Sequence, residues 1–383
     1  MSIIRVSIQQ PAIPKYRLPF FKFLSKQKDI NLKLFYSIND RSLPNVPPEG
    51  LNSTYSEMIR FMTFGKHTML WHQAQWTAAS NLVSDVLVLS WDLHYLSLLP
   101  SMLRAKFNKV PIILWGHGFS KNENKFKSNL RRMVAVFSSA VIFYDNNTAE
   151  SYIKDGFNSK KIFVAPNSLD QIPIIEAKKY WSLRNIKLKK FQSNHNLNPL
   201  KTIIYIGRIY PENNLKILIL SLSKIVKIIT DVKLVIIGTG KEINELKTLS
   251  KECGVEDHII WVGELYNEIE IAKWMLSSTV LCYPENIGLS IMHAFGYGLP
   301  VITSNLTIKH NPEIYSFRNK KNGLLYTHGS LDSLVKTMCT ILDNDKQLIH
   351  LSNEALTTVE SKFNIEKMTF GFVDAINYAK NSL

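Results

Sequence analysis

The sequence predicts an α/β protein of two Rossmann-like domains that face a cleft. The chain has 383 residues, which is long for a single hydrophobic core. It holds two series of short apolar runs separated by stretches of helical periodicity, the pattern of parallel strands joined by crossover helices. A polar, basic stretch lies between the two series and marks a boundary between domains.

The first domain is predicted to span residues 1–176. Its strands are expected at six apolar runs: Ile3–Ile8, Leu32–Tyr36, Val86–Leu89, Ile112–Trp115, Val141–Tyr144 and Ile162–Ala165. Between them, Leu93–Phe107 and Asn124–Phe137 have the periodicity of helices. The segment Thr54–His72 mixes aromatic and polar residues, which favours a hairpin outside the sheet.

The second domain is predicted at residues 201–365, after a basic helix and linker at residues 177–200. Its strands are expected at six apolar runs: Thr202–Ile206, Lys233–Ile237, Ile259–Val262, Val280–Tyr283, Val301–Thr303 and Leu324–Tyr326. Residues 366–383 are predicted to form a last helix that crosses back to the first domain.

Composition narrows the class of protein. Hydrophobic residues make up 45% of the chain and charged residues 20%, as in a globular protein. The three cysteines lie far apart and form no CxxC pair, which favours a reducing, cytoplasmic compartment without disulfides or zinc. The first residues lack the pattern of a signal peptide, and no run reaches the roughly 20 apolar residues of a spanning helix. A soluble or peripheral protein is expected.

The net charge of +15 has two interpretations. It can reflect a composition rich in Lys, Asn and Ile, or it can attract the protein to anionic lipid or a phosphate-bearing substrate. Under the second interpretation, the aromatic and basic segment Tyr16–Lys28 and the basic helix around Lys121–Arg132 would rest on the inner face of the plasma membrane. No nucleic-acid-binding motif is present, so no nucleic-acid partner is expected.

The segment Pro284–Ile302 carries the most information. It follows an apolar run, opens a helix, and ends in the turn Gly298–Pro300 before another apolar run. Gly288 stands where the helix begins, and its missing Cβ lets a ligand approach the backbone. The free amides and the positive end of the helix dipole suit a diphosphate.

Three further segments follow strands in the same domain. Tyr205–Asn214 contains Gly207 and Arg208, and a guanidinium suits bidentate phosphate contact. Val235–Gly240 and Trp261–Leu265 each place a glycine after an apolar run. Each of these segments alone is weak evidence for a ligand site, but their order and spacing strengthen the evidence when they are taken together.

Together these segments resemble the retaining glycosyltransferases of family four, which have the GT-B fold. The family pattern E-x-F-G-L-x-x-x-E-A-M-A-x-G-x-P-V-I is matched at Glu285, Gly288, Leu289, Ala294, Gly298, Pro300, Val301 and Ile302. The second Glu of the pattern is His293 in this chain. The family turn G-R-L-x-x-E-K-G is matched at Arg208, but its Lys is Asn213.

The resemblance implies that the second domain binds a nucleotide-sugar donor. Donor contacts are implied for Gly207, Arg208, Gly238, Glu264, Leu265, Gly288, Leu289 and His293. Glu285 is implied to bind the transferred sugar, and His117, in a turn between two glycines, is the second catalytic candidate. Gln10, Tyr16 and Arg17 in the first loop are acceptor-side candidates. The resemblance implies no cofactor and no metal.

The implied activity is transfer of a sugar, with retention, to a hydroxyl of a glycan or glycolipid in bacterial surface polysaccharide synthesis. Position 293 leaves this open, because a neutral imidazole nitrogen accepts one hydrogen bond where a carboxylate accepts more. A catalytically impaired scaffold or binding protein, a sugar-nucleotide epimerase and a phosphorylase of the same fold are the alternatives.

Overall fold

The computed structural model describes residues 3–37, 46–64, 67–119 and 125–382. The chain divides into two compact units, the first of residues 1–167 and 365–383, the second of residues 168–364. Each unit contains one sheet in which all neighbouring strands are parallel. The predicted α/β class with two Rossmann-like domains is confirmed.

The first unit has a seven-stranded sheet of order β3-β2-β1-β6-β7-β8-β9 and a separate antiparallel hairpin, β4-β5. The strands are β1 Ile4–Gln10, β2 Ile30–Tyr36, β3 Ser53–Tyr55, β4 Met58–Phe64, β5 His67–His72, β6 Val86–Ser90, β7 Ile112–Trp115, β8 Ala140–Phe143 and β9 Ile162–Val164. The helices are α1 Leu18–Ser25, α2 Gln73–Ala78, α3 Leu98–Phe107, α4 Lys125–Val136 and α5 Asn146–Lys154. The hairpin confirms the prediction over Met58–His72, whereas Thr54 and Tyr55 belong to β3 of the main sheet. Residues 65–66 lie outside the described residues.

The second unit has a six-stranded sheet of order β12-β11-β10-β13-β14-β15. Its strands are β10 Thr202–Ile206, β11 Lys233–Ile237, β12 Ile259–Gly263, β13 Val280–Cys282, β14 Val301–Ser304 and β15 Gly323–Tyr326. Its helices are α6 Ile172–Ser182, α7 Asn185–Asn194, α8 Leu215–Ile225, α9 Ile243–Glu252, α10 Glu268–Met275, α11 Ser290–Gly296, α12 Leu331–Leu342 and α13 Asp345–Ser361. The predicted strands of both sheets agree with the observed ones to within two residues at each end.

The last helix, α14 Ile365–Asn381, belongs to the first unit. It covers one face of that sheet, where the Phe372 ring lies 4.7 Å from the rings of both Phe20 and Trp115. Gly371 permits this close packing, since an added Cβ would lie 2.2 Å from the backbone oxygen of Val164 in β9. The sequence after residue 364 therefore completes the core that the amino-terminal residues begin.

The boundary between the units differs from the predicted one. Residues 177–200 were expected to link the domains, but α6 and α7 are part of the second unit. Ile174 and Ala177 are buried in its core, and Trp181 donates from Nε1 to the Ile269 oxygen at 2.8 Å. Because these apolar contacts hold α6 against α10, the first unit ends at Asn167 and not at residue 176.

The segment Tyr16–Lys28 does not present an apolar face to the solvent. Phe20, Phe21 and Leu24 of α1 are fully buried against the first sheet. The aromatic residues that were expected at a membrane surface pack inward because they close the core beside α14. The other expected membrane segment begins at residues 121–124, which lie outside the described residues. Within the described ranges, no helix is long and apolar enough to cross a bilayer.

Candidate functional site

A pocket of about 190 Å³ lies at the carboxyl ends of three neighbouring strands of the second unit. In open parallel sheets this edge is the usual place for a ligand. The pocket is lined by residues that follow or end β10, β11 and β12: Ile206, Gly207, Arg208, Ile237, Gly238, Thr239, Glu264, Leu265 and Tyr266. Five of the eight predicted donor residues therefore line one pocket.

Gly238 allows the two loops that bound the pocket to lie close together. Its φ is +137°, and an added Cβ would lie 1.9 Å from the backbone oxygen of Gly207. Only a residue without a side chain fits here, because the obstacle is backbone and cannot move aside. Gly238, which follows β11, is therefore required by the close approach of the two loops.

Arg208 is exposed at the rim of the pocket, with its guanidinium carbon 5.4 Å from the centre of the Tyr210 ring. Its backbone oxygen accepts hydrogen bonds from Tyr205 Oη at 2.7 Å and from Asn213 Nδ2. The loop is therefore held rigidly by its own neighbours, while the charged group is left in solvent. This arrangement makes Arg208 available to an anionic ligand.

Asn213 joins the two loops that carry the candidate residues. It is buried, and its Oδ1 accepts a hydrogen bond from Asn286 Nδ2 at 2.9 Å. Since Asn213 also holds the Arg208 oxygen, one side chain connects the loop after β10 with the loop after β13. The sequence indicated only that Asn213 replaces a lysine of the family turn, whereas in the structure Asn213 links the two loops.

Glu285 follows β13, which is the neighbour of β10 in the sheet. The residue is buried, with 6% exposure, and its Oε1 accepts a hydrogen bond from Asn214 Nδ2 at 3.0 Å. His328 Nδ1 lies 3.2 Å from the same oxygen. Within the described residues, no group donates a hydrogen bond to Oε2. Glu285 therefore presents a fixed carboxylate with one oxygen unengaged.

Gly288 and Leu289 come just before α11, whose first residue contacts the pocket wall. Ser290 Oγ donates to the backbone oxygen of Ile206 at 3.0 Å, and Ile206 lines the pocket. Gly288 lies close to Asn311, whose Nδ2 would be 3.2 Å from an added Cβ. Gly288 and Leu289 therefore lie beside the pocket, but they are not among the residues that line it.

His293 has a carboxylate partner that the sequence analysis missed. Its Nε2 lies 2.8 Å from Oε1 of Glu268, and the same oxygen accepts the hydroxyl of Tyr297. Burial of the Glu268 carboxyl favours its neutral form, but the hydrogen bond and charge of His293 and the Tyr297 hydroxyl outweigh burial and lower its pKa. A carboxylate therefore lies beside position 293 after all, contributed by α10.

The Glu268 carboxylate should contribute to stability in a pH-dependent way. Glu268→Gln should lower the free energy of unfolding by about 1 kcal/mol near neutral pH, the net contribution of a typical hydrogen bond. Because the pKa of Glu268 is lowered in the folded protein, this contribution is complete above the reference value of 4.5 and is lost as the pH falls through the folded value. Urea unfolding of parent and variant at neutral and acidic pH measures the difference.

Glu270→Gln is the matched control, since Glu270 lies on the same helix with its carboxylate paired to Lys273 at the surface. That substitution should have little effect at either pH. An equal loss of stability by Glu268→Gln at neutral and acidic pH would show that Glu268 is not ionised in the folded protein.

The acceptor-side candidates lie at the carboxyl edge of the first sheet, around two aromatic rings. The Arg17 guanidinium carbon lies 4.5 Å from the Trp115 ring centre, and its terminal nitrogens lie 3.5 Å from the hydroxyls of Tyr16 and Tyr144. The exposed His117 ring packs against Tyr144 at 4.7 Å. Tyr16, Arg17 and His117 are thus brought together, and Tyr144 joins them.

Among the described residues, Gln10 forms its side-chain hydrogen bonds away from this cluster. Its Nε2 donates to the backbone oxygen of Gln9 at 3.0 Å and lies 3.5 Å from Ser90 Oγ. The side chain is buried and holds the end of β1 against β6. In this position the Gln10 side chain stabilises the edge of the sheet from its buried side.

Arg17 is a buried cation without a carboxylate partner. It is 9% exposed, and no described residue forms a hydrogen bond with its Nε. Among the described residues, no acidic side chain forms an ion pair with it. A buried guanidinium is costly unless its charge is compensated, and the ring of Trp115 compensates it only in part.

Comparisons with known proteins find similar sequences and a similar fold. Residues 185–357 match the family model described as "Glycosyl transferases group 1". An "Uncharacterized glycosyltransferase" of Haemophilus influenzae is 23% identical over 262 residues, 67% of each chain. A "GDP-mannose-dependent alpha-(1-6)-phosphatidylinositol monomannoside mannosyltransferase" of Mycobacterium tuberculosis is 24% identical over 173 residues, which is 41% of this chain and 42% of that protein. The alignment thus spans about two fifths of the mannosyltransferase.

The crystal structure of Anabaena Alr3699/HepE in complex with UDP has the same fold. It superposes with a TM-score of 0.70 at 15% identity and covers 98% of this chain and 100% of that one. The similarity therefore extends through both units, whereas the family model matches only residues 185–357, which lie within the second unit.

Proposed function

Because residues 185–357 form a glycosyltransferase group 1 domain in a chain of GT-B fold, we propose that the protein transfers a sugar from a nucleotide sugar to a hydroxyl of a glycan or glycolipid. The observation that carries this proposal is the pocket after β10, β11 and β12, with Arg208 at its rim and Glu285 beside it. HepE binds UDP on this fold, and the mycobacterial relative is named for GDP-mannose and a glycolipid. A role in bacterial surface polysaccharide synthesis is part of the proposal.

We assign the donor to the second unit. Arg208 would hold the diphosphate, since a guanidinium forms charge-assisted, bidentate bonds to phosphate oxygens. The amides at Gly288–Leu289 would add backbone donors on the side of β13. The nucleoside would lie in the pocket walled by Glu264 and Leu265. Glu268, held by His293, would offer its second oxygen to the ribose hydroxyls.

The transfer step would retain the configuration of the sugar. The bond from the anomeric carbon to the diphosphate oxygen breaks, and the acceptor hydroxyl attacks from the same face. The released diphosphate oxygen takes the hydroxyl proton, so that no protein nucleophile, cofactor or metal takes part. Glu285 would fix the sugar hydroxyls, and His117 is the second catalytic candidate. The protein's contribution is then positioning and charge stabilisation.

We propose that the acceptor carries an anionic group that binds near Arg17. A buried guanidinium without a carboxylate gains most from a ligand that brings the missing charge. Tyr16 and His117, which lie around the same aromatic pair, can add hydrogen bonds to a phosphate. A phosphate-bearing lipid or sugar acceptor fits this chemistry.

Arg17→Met should weaken binding of inorganic phosphate or a sugar phosphate at this site about tenfold, the loss of one hydrogen bond to a charged group. The free energy of unfolding should stay the same or rise, because an apolar side chain of similar length removes a buried charge. Thermal stabilisation by the two phosphates measures the binding.

Arg104→Met is the matched control for Arg17→Met. The Arg104 guanidinium also packs on an aromatic ring, 4.5 Å from the centre of Trp76. The control variant should bind phosphate as the parent does. A large loss of stability in Arg17→Met with unchanged phosphate binding would make Arg17 a structural residue and end the assignment.

A panel of nucleotide sugars tests the proposed activity. The donor should raise the melting temperature by mass action, and transfer to an added acceptor should give a product whose anomeric configuration, read by NMR, equals that of the donor. A scaffold protein would bind no nucleotide sugar. An epimerase would release free nucleotide without an acceptor, and a phosphorylase would require inorganic phosphate.

We place the protein in the cytoplasm, where its cysteines stay reduced. Cys253, Cys282 and Cys339 are all free in the structure. Burial raises the pKa of the Cys282 thiol far above its usual value, which keeps this thiol protonated and unreactive. Recovery of the protein from cell fractions tests this location.

A further inference from the structure

A second cavity, of about 630 Å³, lies at the amino-terminal edge of the first sheet. It is bounded by Val110 and Pro111 before β7, by Ser138 and Ser139 before β8, and by Lys161 before β9. These strands are neighbours and parallel. The cavity is therefore separated by the length of the strands from the edge that carries Arg17 and His117, and it is independent of the proposed transfer site.

Apolar side chains form most of the cavity wall and extend into the solvent beside it. Leu99 and Leu103 of α3 are 44% and 61% exposed, and Val136 and Phe137 at the end of α4 are 58% and 68% exposed. Phe107 continues the same face of α3, four residues after Leu103, and is 87% exposed. So many large apolar side chains on one surface are unusual for a protein that contacts only water.

Cations border this apolar wall, and no acidic residue does so among the described lining residues. Lys106 and Lys109 line the cavity and are exposed, and Lys161 lines it from the other side. The Lys161 ammonium also donates to the backbone oxygen of Ser138 at 3.1 Å. The long stems of such side chains can cover apolar surface while their charges stay in water.

We propose that this surface docks the protein on an anionic lipid bilayer. The lysines would contact lipid phosphates, and the cavity between α3, α4 and α14 would receive acyl-chain carbons. A free anionic metabolite needs cations but gains nothing from the exposed apolar side chains beside them. An anionic lipid surface matches both features, because basic groups add electrostatic attraction to the insertion of apolar ones.

Flotation with lipid vesicles tests the docking surface. The protein should float with vesicles of phosphatidylcholine mixed with phosphatidylglycerol, should not float with vesicles of phosphatidylcholine alone, and should dissociate as the salt concentration rises. Failure to bind the anionic vesicles would overturn the proposal, and equal binding to both vesicles would overturn the role of the lysines.

Two double variants separate the contribution of the lysines to vesicle binding from that of the apolar side chains. Lys106→Glu with Lys109→Glu, and Leu103→Ser with Phe137→Ser, should each weaken vesicle binding roughly tenfold or more. All four side chains are exposed, so that the melting temperature should not change. Lys336→Glu with Lys346→Glu, exposed in the second unit, makes the same charge change elsewhere and should bind vesicles nearly as the parent does.

If both cavity variants bound vesicles as well as the parent does, the membrane contact would lie elsewhere and the proposal would be wrong. Loss of binding in the control pair equal to that in Lys106→Glu with Lys109→Glu would show attraction by net charge alone and would end it too. Binding of the nucleotide sugar, measured in solution without lipid, should be the same in all these variants, so that the proposed transferase activity is tested separately.

Discussion

Replacing Glu285 with glutamine or alanine should reduce sugar transfer by about 10²–10³-fold, the usual cost of removing one preorganised polar contact in a transition state. The carboxylate is buried, held by Asn214, and has one oxygen without a hydrogen-bond donor among the described residues. Sugar hydroxyls can bind to that oxygen with charge-assisted bonds. Initial rates with a saturating donor measure the effect.

Glutamine is the informative variant because it still accepts the hydrogen bond from Asn214 and so preserves the loop. Its melting temperature should be close to that of the parent, and it should bind the free nucleoside diphosphate with unchanged affinity, since that ligand lacks the sugar. Glu252→Ala, an exposed carboxylate at the end of α9, is the control and should transfer normally. Full turnover by Glu285→Gln would remove Glu285 from the site.

The strands could be predicted from the sequence because parallel strands are buried on both faces. Val86–Leu89 are four consecutive apolar residues, and each is fully buried. Such runs need no knowledge of long-range contacts. The domain boundary was wrong because α6 mixes charged with apolar residues, and its contacts with the second core through Ile174, Ala177 and Trp181 become visible only in the fold.

The site was predictable where backbone geometry requires a particular residue. Gly238 must be glycine because its neighbour is the backbone of Gly207, and such positions leave a trace in the sequence. Glu268 left none, since its partner His293 is 25 residues away in the chain. From the sequence, a Glu near the start of a helix is expected to interact with the helix dipole. Only the fold shows that Glu268 contacts His293.

The burial of Arg17 was likewise hidden from the sequence. Its local segment, with Tyr16 before it and two phenylalanines after it, shows aromatic and basic residues but does not show which of them are buried. The fold instead brings Trp115 and Tyr144 from two other strands against the guanidinium. Position along the chain suggested an acceptor-side role, and the absence of a carboxylate partner among the described residues is what points to an anion.

Arg208→Ala should weaken donor binding about 10²–10⁴-fold, because two charge-assisted hydrogen bonds to the diphosphate are lost and each contributes about 1.5–3 kcal/mol. The guanidinium is exposed at the pocket rim and forms no ion pair with a described residue, so its removal leaves no buried partner unsatisfied. The melting temperature without ligand should therefore stay the same. Titration calorimetry with the nucleoside diphosphate measures the affinity.

The lysine variant distinguishes charge from geometry. Arg208→Lys keeps the positive charge but loses the planar fork, so its affinity should lie between those of the parent and Arg208→Ala. Arg318→Ala, an exposed arginine of the same unit, is the control and should bind as the parent does. Since Arg208 would bind phosphate and Glu285 the sugar, Arg208→Ala should weaken the diphosphate and the nucleotide sugar alike, whereas Glu285→Gln should weaken only the latter. Unchanged affinity of Arg208→Ala for both ligands would place the diphosphate elsewhere.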